Sequence, residues 1–442
     1  MPHTANLQAP PHTESSALPE PSPAEARTAP RRFLPWSIAG RKWLPDFIAK
    51  PIFGKPLAPS QDEWRRMELA LWQGDPAMDK VVNWLFEVGP RHGKPLFDQA
   101  LQHGIASLTD PPPVLLEFFA IVDQAPPWLN RTRLEKGVKV AHLTGTVSFY
   151  VLRDMALMGG YAYFNSMNQT LAATGALSKD TALRLGETGK WLNDVTEPSG
   201  MERFGPGFIT TLRVRLVHAL IRRHLQNKAD WEPDKWGIPI NQVDMLATYL
   251  AFGPATLMGG RLFGLPIWPR QGIAVMHLWR YVGWLMGVDE QWLALNELDG
   301  LRKLFHTFMT HRLPDEKIRQ LGQALRDEPL SRHLPGLEGQ PRRARLKRWF
   351  LYQMHLSNSS LILGPVQRRQ LGLPMTILPW YPAATAPFRF VKLFYCQLRG
   401  GQAMADYARR SREQQTELLV HYFGEREQDI IRPGAGHPAH TD

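Results

Sequence analysis

The sequence predicts an all-α fold organised as a single large helical domain. Apolar residues recur at three- and four-residue spacing through most of the chain, whereas the strict apolar/polar alternation of half-buried strands is scarce. Prolines, 38 in all, and glycines separate the periodic stretches, where they start or end helices. No repeat period and no linker divides residues 31–425, which we expect to form the domain. Residues 1–30, rich in Pro, Ala, Ser and Glu, are predicted to be disordered, and residues 426–442 to form a polar tail.

Several of the predicted helices begin with a recognisable start signal. Asp110-Pro-Pro-Pro precedes one helix, and Ser178-Lys-Asp180 opens another with a capping residue and an early acid. Pro314 starts a third, shortly before Glu316. In chain order the predicted helices are 61–74, 77–88, 94–104, 113–123, 132–157, 178–195, 206–227, 241–253, 271–287, 290–310, 314–326, 342–357, 365–370 and 398–423.

Composition and charge narrow the classes of protein. Hydrophobic residues make up 43% of the 442 positions, and the 15 Trp and 20 Phe suit the lining of a large apolar cavity. The net charge of +11 can attract nucleic acid, an anionic membrane or acidic ligands. The cations are spread along the chain, and the densest cluster, at 342–348, is typical of a solvated helix start. Because no zinc-finger, RRM or basic-zipper pattern is present, we expect no nucleic-acid partner.

Membrane contact is expected to be peripheral at most. The uncharged run at 155–178 is interrupted by Asn165, Asn168 and several glycines, and the run at 245–260 is short, so neither predicts a membrane span. The basic segment 31–55 contains Trp36, Trp43 and other aromatic residues and could rest on a membrane surface. Packing onto the domain is the favoured interpretation of that segment.

The cysteine content excludes several kinds of site. Cys396 is the only cysteine, which rules out an intramolecular disulfide, an all-cysteine metal site and covalent haem attachment through C-x-x-C-H. No clear signal peptide precedes the domain. Both observations are in keeping with a cytoplasmic location.

His218 is the first candidate for a functional residue. On a helix it shares a face with Arg215 and Arg222, which stand three and four positions away. Two fixed cations disfavour the protonated imidazole, and a neutral ring can donate a lone pair to a metal. The same cations would suit the carboxylates of a haem. The alternative is an ordinary core or surface histidine on a basic helix.

A second group of candidates lies about thirty residues earlier. Arg184 and Thr188 are one turn apart on one helix face. Gly186 and Gly189 in the same helix each cost roughly 1 kcal/mol relative to alanine. Glycine is therefore expected where something must approach the backbone closely. That neighbour is either a flat cofactor or a tightly crossing helix, and the spacing alone favours the helix.

Arg184-x-x-x-Thr188 followed by Arg215-x-x-His218-x-x-x-Arg222 resembles the catalytic domain of the latex clearing proteins, which are rubber oxygenases. The wider family includes MpaB-type oxygenases, one of which shortens the prenyl chain in mycophenolic acid biosynthesis. The resemblance covers roughly residues 85–310. It is supported by further similar segments at 127–137, 173–177, 237–244 and 277–288.

The resemblance implies a globin-like helical core around a non-covalent b-type haem. In that case His218 is the proximal iron ligand, and Arg215 and Arg222 belong to the same side of the cofactor pocket. Arg184 and Thr188 would lie on the distal side, near bound dioxygen. The implied reaction is oxidative cleavage of a carbon–carbon double bond in an apolar, isoprenoid-like small molecule, with dioxygen as co-substrate.

The sequence departs from the rubber-cleaving members at two positions. Those members carry a lysine immediately before the distal threonine, where this chain has Glu187. They also carry a glutamate about twenty residues upstream, where residues 165–169 contain no acid. The departures argue against polyisoprene as substrate and make Glu187 a candidate catalytic base, unless it points to solvent. Two other functions stay open: a haem-binding sensor or carrier without turnover, and a cofactor-free helical interaction or membrane-surface protein.

Overall fold

The all-α prediction is confirmed. The structure is a computed structural model that describes residues 28–41, 44–174, 180–311 and 314–424, and in these ranges every regular element is helical. The single large helical domain is confirmed as well, while its bounds at 31 and 425 and its globin-like character stay predictions. The predicted polar tail lies outside the described residues, as does the predicted disordered segment except for positions 28–30.

The helices are numbered here in chain order. They are α1 (Trp36–Ala39), α2 (Asp46–Phe53), α3 (Gln61–Ala70), α4 (Pro76–Val88), α5 (Pro90–His103), α6 (Pro113–Asp123), α7 (Arg131–His142), α8 (Val147–Tyr150), α9 (Met158–Tyr163), α10 (Asn165–Thr174), α11 (Thr181–Val195), α12 (Pro206–Gln226), α13 (Pro233–Trp236), α14 (Gln242–Phe252), α15 (Pro254–Leu262), α16 (Pro269–Leu285), α17 (Glu297–Phe308), α18 (Glu316–Ser331), α19 (Pro341–Ser359), α20 (Pro365–Leu371), α21 (Trp380–Arg399) and α22 (Gly401–Phe423). Short 3₁₀ turns cover Ile105–Ser107 and Glu290–Trp292, and a π-helix covers Val151–Leu157.

The predicted helix at 132–157 is wrong as a single element. Helix α7 ends at His142, and the chain restarts as α8 at Val147 before it widens into the π-helix. Gly145 lies between them with φ of +52°, a left-handed conformation that glycine tolerates without cost. The apolar periodicity continues across this break, which is why the sequence pattern did not reveal it.

Helix α21 was not predicted. It begins at Trp380 and contains Pro382 in its first turn and Pro387 in its interior. A proline in the first turn loses no hydrogen bond, so it is compatible with the helix, although prolines at this spacing favour a loop in a sequence pattern. Helices α9, α10 and α15 were missed as well, because their short lengths, together with the glycines of α9 and α15, weaken the periodic signal.

Helix α11 links two apolar cores. Its Trp191 and Leu192 belong to the main core, which most of the other helices line. Its Leu185 belongs to a second core together with Tyr161 and Phe423 and with residues of α18, α19 and α20. Helix α11 also packs against α12 and α22. A side chain on α11 is therefore positioned by neighbours on several sides.

The glycines of α11 accommodate a crossing helix. A Cβ atom at Gly189 would lie 2.4 Å from a ring atom of Phe149 and 2.8 Å from Leu419 on α22. A Cβ at Gly186 would lie 3.0 Å from the ring of Phe423, also on α22. Of the two alternatives open for these glycines, the structure supports the tightly crossing helix.

Candidate functional site

His218 occupies the middle of α12, which begins at Pro206 and packs against α4 and α11. The residue keeps partial exposure, but its Nδ1 is buried and has no hydrogen-bond partner among the described residues. Burial of the ring, together with the positive charges of Arg222 and Arg184, lowers the pKa of His218 to about 4, against the opposing charge of Asp75. The imidazole is therefore neutral near pH 7 and has a lone pair available to a metal.

Arg215 is held by a carboxylate of α4. Its Nε donates to Oδ2 of Asp75 at 2.6 Å, and its Nη2 donates to Oδ1 at 2.7 Å. Its Nη1 donates to the carbonyl of Leu285 at 3.0 Å. Asp75 is also the N-cap of α4 and accepts from the backbone N–H of Met78. One carboxylate thus fixes both the start of α4 and the position of α12.

Arg222 repeats this arrangement on the other side of His218. Its Nη1 pairs with Asp79, one turn beyond Asp75 on α4. Its Nη2 donates to the carbonyl of Ile240 at 3.0 Å, and its Nε donates to that of Pro239 at 3.3 Å. Every nitrogen of both arginine guanidinium groups therefore has a partner, so the structure supports a positioning role for them. Their predicted role as direct cofactor contacts stays a prediction.

On the facing helix, Arg184 and Glu187 form an ion pair within one turn of α11. Nη1 of Arg184 donates to Oε2 of Glu187 at 2.7 Å. Glu187 is only 5% exposed, so the interpretation that it points to solvent is wrong. Its other oxygen, Oε1, is buried without a hydrogen-bond partner in the described part of the chain. Thr188 is half-buried and donates its hydroxyl to the backbone carbonyl of Arg184 at 3.0 Å.

The predicted site residues are thus brought together on two packed helices. Arg184 is close enough to His218 to lower the pKa of the imidazole, and it holds Glu187 on α11. Among the described residues, α12 has one buried side-chain atom without a hydrogen-bond partner, Nδ1 of His218, and α11 has three, one each on Glu187, Asn193 and Asp194. Buried polar groups are nearly always hydrogen-bonded, so atoms of this kind are candidate contacts for a ligand or a water. A neutral histidine with an unpartnered ring nitrogen fits the donor that a non-covalently bound haem would need.

The α11 face continues from Thr188 into the interior. Leu192 and Thr196, one and two turns further along α11, line a mostly apolar cavity of about 30 Å³ together with Phe252 and Trp279. A cavity of this size holds a water or a comparably small molecule and is too small for an isoprenoid chain. This cavity therefore does not by itself admit an isoprenoid chain in this conformation.

Sequence reasoning missed two acidic residues at this site and a third that contacts the segment 165–169. Asp75 and Asp79 hold the two arginines of α12, and their four-residue spacing at a helix start was the available signal. Asp315, the N-cap of α18, accepts from Nε2 of Gln169 at 2.6 Å. Residues 165–169 lack the glutamate that the rubber-cleaving proteins carry there, but through Gln169 they contact a carboxylate 146 positions away along the chain.

The fold and the site define an all-α protein with a neutral, partly exposed histidine whose Nδ1 is buried, flanked along its helix by two arginine ion pairs. The chain belongs to the family described as ER-bound oxygenase mpaB/B'/Rubber oxygenase, catalytic domain, whose model matches residues 148–394. That range contains α11, α12 and the predicted site residues on them, and it extends into α21.

Two known proteins are similar to this chain. The Rubber oxygenase of Streptomyces sp. (strain K30) is 24% identical over 202 residues, which cover 44% of this chain and 47% of that protein. The chain therefore matches about half the length of this curated relative. The solved structure of the latex clearing protein LCP in the closed state superposes with a TM-score of 0.51 at 15% identity, covering 89% of this chain and 99% of that one. At that identity the likeness shows a shared fold.

Proposed function

We propose that this protein is a haem b-dependent oxygenase that uses dioxygen to cleave a carbon–carbon double bond in an apolar, isoprenoid-like molecule. Membership of the oxygenase family supports the reaction class. The observation that carries the cofactor assignment is the neutral His218 with its buried, unpartnered Nδ1. A histidine with only a structural role usually forms a hydrogen bond through a buried ring nitrogen.

In this proposal His218 would hold the haem through an imidazole nitrogen, and the haem would supply the chemistry that activates dioxygen. Arg215 and Arg222 act as positioning residues, because their ion pairs with Asp75 and Asp79 hold α12 against α4 on both sides of the ligand. Burial and the neighbouring cations keep the imidazole unprotonated, so no proton has to leave before it binds the metal.

The residues of α11 supply the polar groups of the opposite wall. Arg184 holds Oε2 of Glu187, which leaves Oε1 as the atom where the chain can accept a proton during the reaction. Thr188 donates its hydroxyl hydrogen to its own helix, so the hydroxyl oxygen remains available as an acceptor toward the site. On the same helix, Leu185 and Trp191 are buried in the two apolar cores.

An absorption spectrum of the purified full-length protein tests the cofactor assignment. We expect a Soret band in the wild type and its loss in His218→Ala, with His224→Ala as the matched control. His224 lies on the same helix but is exposed. Full haem occupancy and an unchanged spectrum in His218→Ala would refute the axial role. A colourless wild type that takes up no added haem would refute the cofactor.

Product analysis separates an oxygenase from a haem-binding sensor or carrier. The haem-loaded protein is incubated with dioxygen and squalene or another prenylated alkene, and the mixture is searched for carbonyl products. Arg184→Ala and Thr188→Ala are expected to keep the Soret band and to reduce product formation. A haem-loaded wild type without turnover on any unsaturated isoprenoid would favour the sensor or carrier.

A further inference from the structure

Helix α21 exposes an apolar face that nothing in the described chain covers. Trp380, Phe388, Val391, Tyr395 and Leu398 are 42%, 77%, 65%, 57% and 71% exposed. Successive members of this set are three or four residues apart, except that Trp380 and Phe388 are two turns apart. This spacing places them on one side of the helix. The opposite side packs onto α19 and α22. An amphipathic helix ordinarily turns such a stripe toward the core, so the exposed stripe indicates an external contact.

Helix α19 extends this surface. Its Leu346, Trp349 and Phe350 are 66%, 54% and 42% exposed. The ring of Phe350 lies 6.0 Å from that of Trp380, and α19 packs against α21. The exposed apolar residues of both helices therefore form one continuous surface, called here the α19/α21 face.

The α19/α21 face lies in the segment that carries the excess positive charge. Residues 339–405 contain ten arginines and lysines and no aspartate or glutamate, in a chain whose net charge is +11. The cations are spread along the chain, but the acids that balance them elsewhere are missing here. Six of the ten are exposed on α19 and α21 themselves, namely Arg342, Arg343, Arg345, Lys347, Lys392 and Arg399.

We propose that the α19/α21 face docks peripherally on an anionic lipid bilayer. Exposed Trp, Phe and Leu side chains interleaved with cations are the composition of interfacial helices, whose apolar side enters the headgroup boundary while the cations contact lipid phosphates. None of the helices in the described ranges has the length and apolarity needed to cross a bilayer. The proposed contact is one with the membrane surface.

Charge favours the bilayer over a second copy of the chain. A symmetric dimer through this face would set the patch against itself. The exposed cations of α19 and α21 would then meet the same cations, with no carboxylate in residues 339–405 to compensate. Anionic lipid headgroups supply the missing negative charge.

The proposed surface differs from the segment expected from sequence to touch a membrane. In the described part of 31–55, helix α2 exposes Phe47 and Ile52, at 78% and 46%. That helix is only 8 residues long and also carries Asp46. Its exposed pair provides an apolar control surface on the same protein.

Vesicle flotation of the full-length protein tests the proposal. The probes are phosphatidylcholine vesicles with and without phosphatidylglycerol. We expect binding to the anionic vesicles that weakens as salt is raised, because salt screens charge attraction at a surface. The triple variant Phe388→Ser/Val391→Ser/Leu398→Ser is expected to bind about tenfold more weakly or worse. Phe47→Ser/Ile52→Ser is the matched control and should bind as the wild type does.

A charge variant tests the electrostatic half of the proposal. Lys392→Gln/Arg399→Gln should weaken binding about fivefold for each cation removed. Lys139→Gln/Lys317→Gln, at two exposed lysines on α7 and α18, is the control and should have little effect. Circular dichroism and thermal unfolding verify that every variant is folded, and none of these readouts depends on a cofactor or on turnover.

Three results would overturn the proposal. The first is a wild type that floats with neither kind of vesicle. The second is a triple variant that binds vesicles as well as the wild type does. A loss of binding that is equally large in the triple variant and in the α2 control variant would count in the same way. The third is a result in which light scattering shows the wild type to be a dimer and the triple variant to be a monomer, while both bind vesicles equally well. That last result would assign the face to a second copy of the chain.

Discussion

Arg215 and Asp75 form a two-point ion pair across the contact between α12 and α4, with Nε–Oδ2 and Nη2–Oδ1 distances of 2.6 and 2.7 Å. Arg222 and Asp79 form a second pair further along the same two helices. His218 lies between the two arginines on α12. The position of His218 is therefore set by the two arginine ion pairs, one before it and one after it in the chain.

Asp75→Asn removes the charge that compensates Arg215. Because both side chains are buried, we expect unfolding to become easier by about 3 kcal/mol, in the range for breaking one side of a buried ion pair. The measurement is urea denaturation of the full-length protein. Asp98→Asn is the control, since Asp98 is half-exposed and lies 3.6 Å from Arg213 on the same α12 helix. That variant should change stability by less than about 1 kcal/mol, and equal effects of the two substitutions would contradict the assignment.

Glu187→Gln retains the shape of the side chain and removes its ability to accept a proton. If Oε1 of Glu187 is the base of the reaction, turnover of a prenylated alkene should fall about 100-fold, while haem occupancy and the Soret band stay as in the wild type. The fall is expected in kcat rather than in KM. Glu202→Gln, at an exposed site between α11 and α12, is the control. Wild-type turnover in Glu187→Gln would exclude the base role.

Buried histidines predict a loss of stability in mild acid. Burial and the charge of Arg302 lower the pKa of His306 to about 4, and the pKa values of His218 and His355 are also lowered to about 4. The unfolded chain takes up protons near pH 6.5, before the folded chain does. The stability that each neutral histidine contributes is therefore complete above about pH 6.5 and declines as the pH falls to about 4, by up to about 1.4 kcal/mol per pH unit.

The pH dependence of one histidine can be isolated by substitution. The difference in bound protons between the unfolded and folded chain sets the slope of the unfolding free energy against pH. His306→Gln should reduce that difference by about one proton between about pH 4 and pH 6.5, so the slope should be less steep. His92→Gln, at an exposed histidine, is the control substitution. Urea denaturation at several pH values measures both. Identical slopes for His306→Gln and the wild type would show that this histidine does not titrate as the structure indicates.

Gly189→Ala should destabilise the protein despite the better helix propensity of alanine. The added Cβ would lie 2.4 Å from the ring of Phe149, and overpacking of this kind costs about 1–3 kcal/mol, more than the roughly 1 kcal/mol gained from propensity. Gly339→Ala is the matched control, because a Cβ there meets nothing within 4 Å. Thermal unfolding compares the two, and a stabilised Gly189→Ala variant would contradict the tight crossing of α11 and α22.

The sequence by itself determined the helical class, most helix positions and the pattern of candidate site residues. Helix α6 was predicted with its observed bounds of 113–123, and α12 was predicted one residue longer than it is. These features are local, because helix periodicity and start signals act over three or four residues. His218, Arg184 and Thr188 were found by the order and spacing of a family motif, which is also a property of the chain alone.

Only the tertiary structure decided which partners these residues meet. Arg215 pairs with a carboxylate 140 positions away, Glu187 is buried rather than solvated, and Gly189 faces a crossing helix. Helix α21 and its exposed apolar stripe were not predicted, because the prolines in that segment favour a loop. The physical reason is common to these cases. Burial and pairing depend on surfaces that are distant in the chain and meet only when the helices pack.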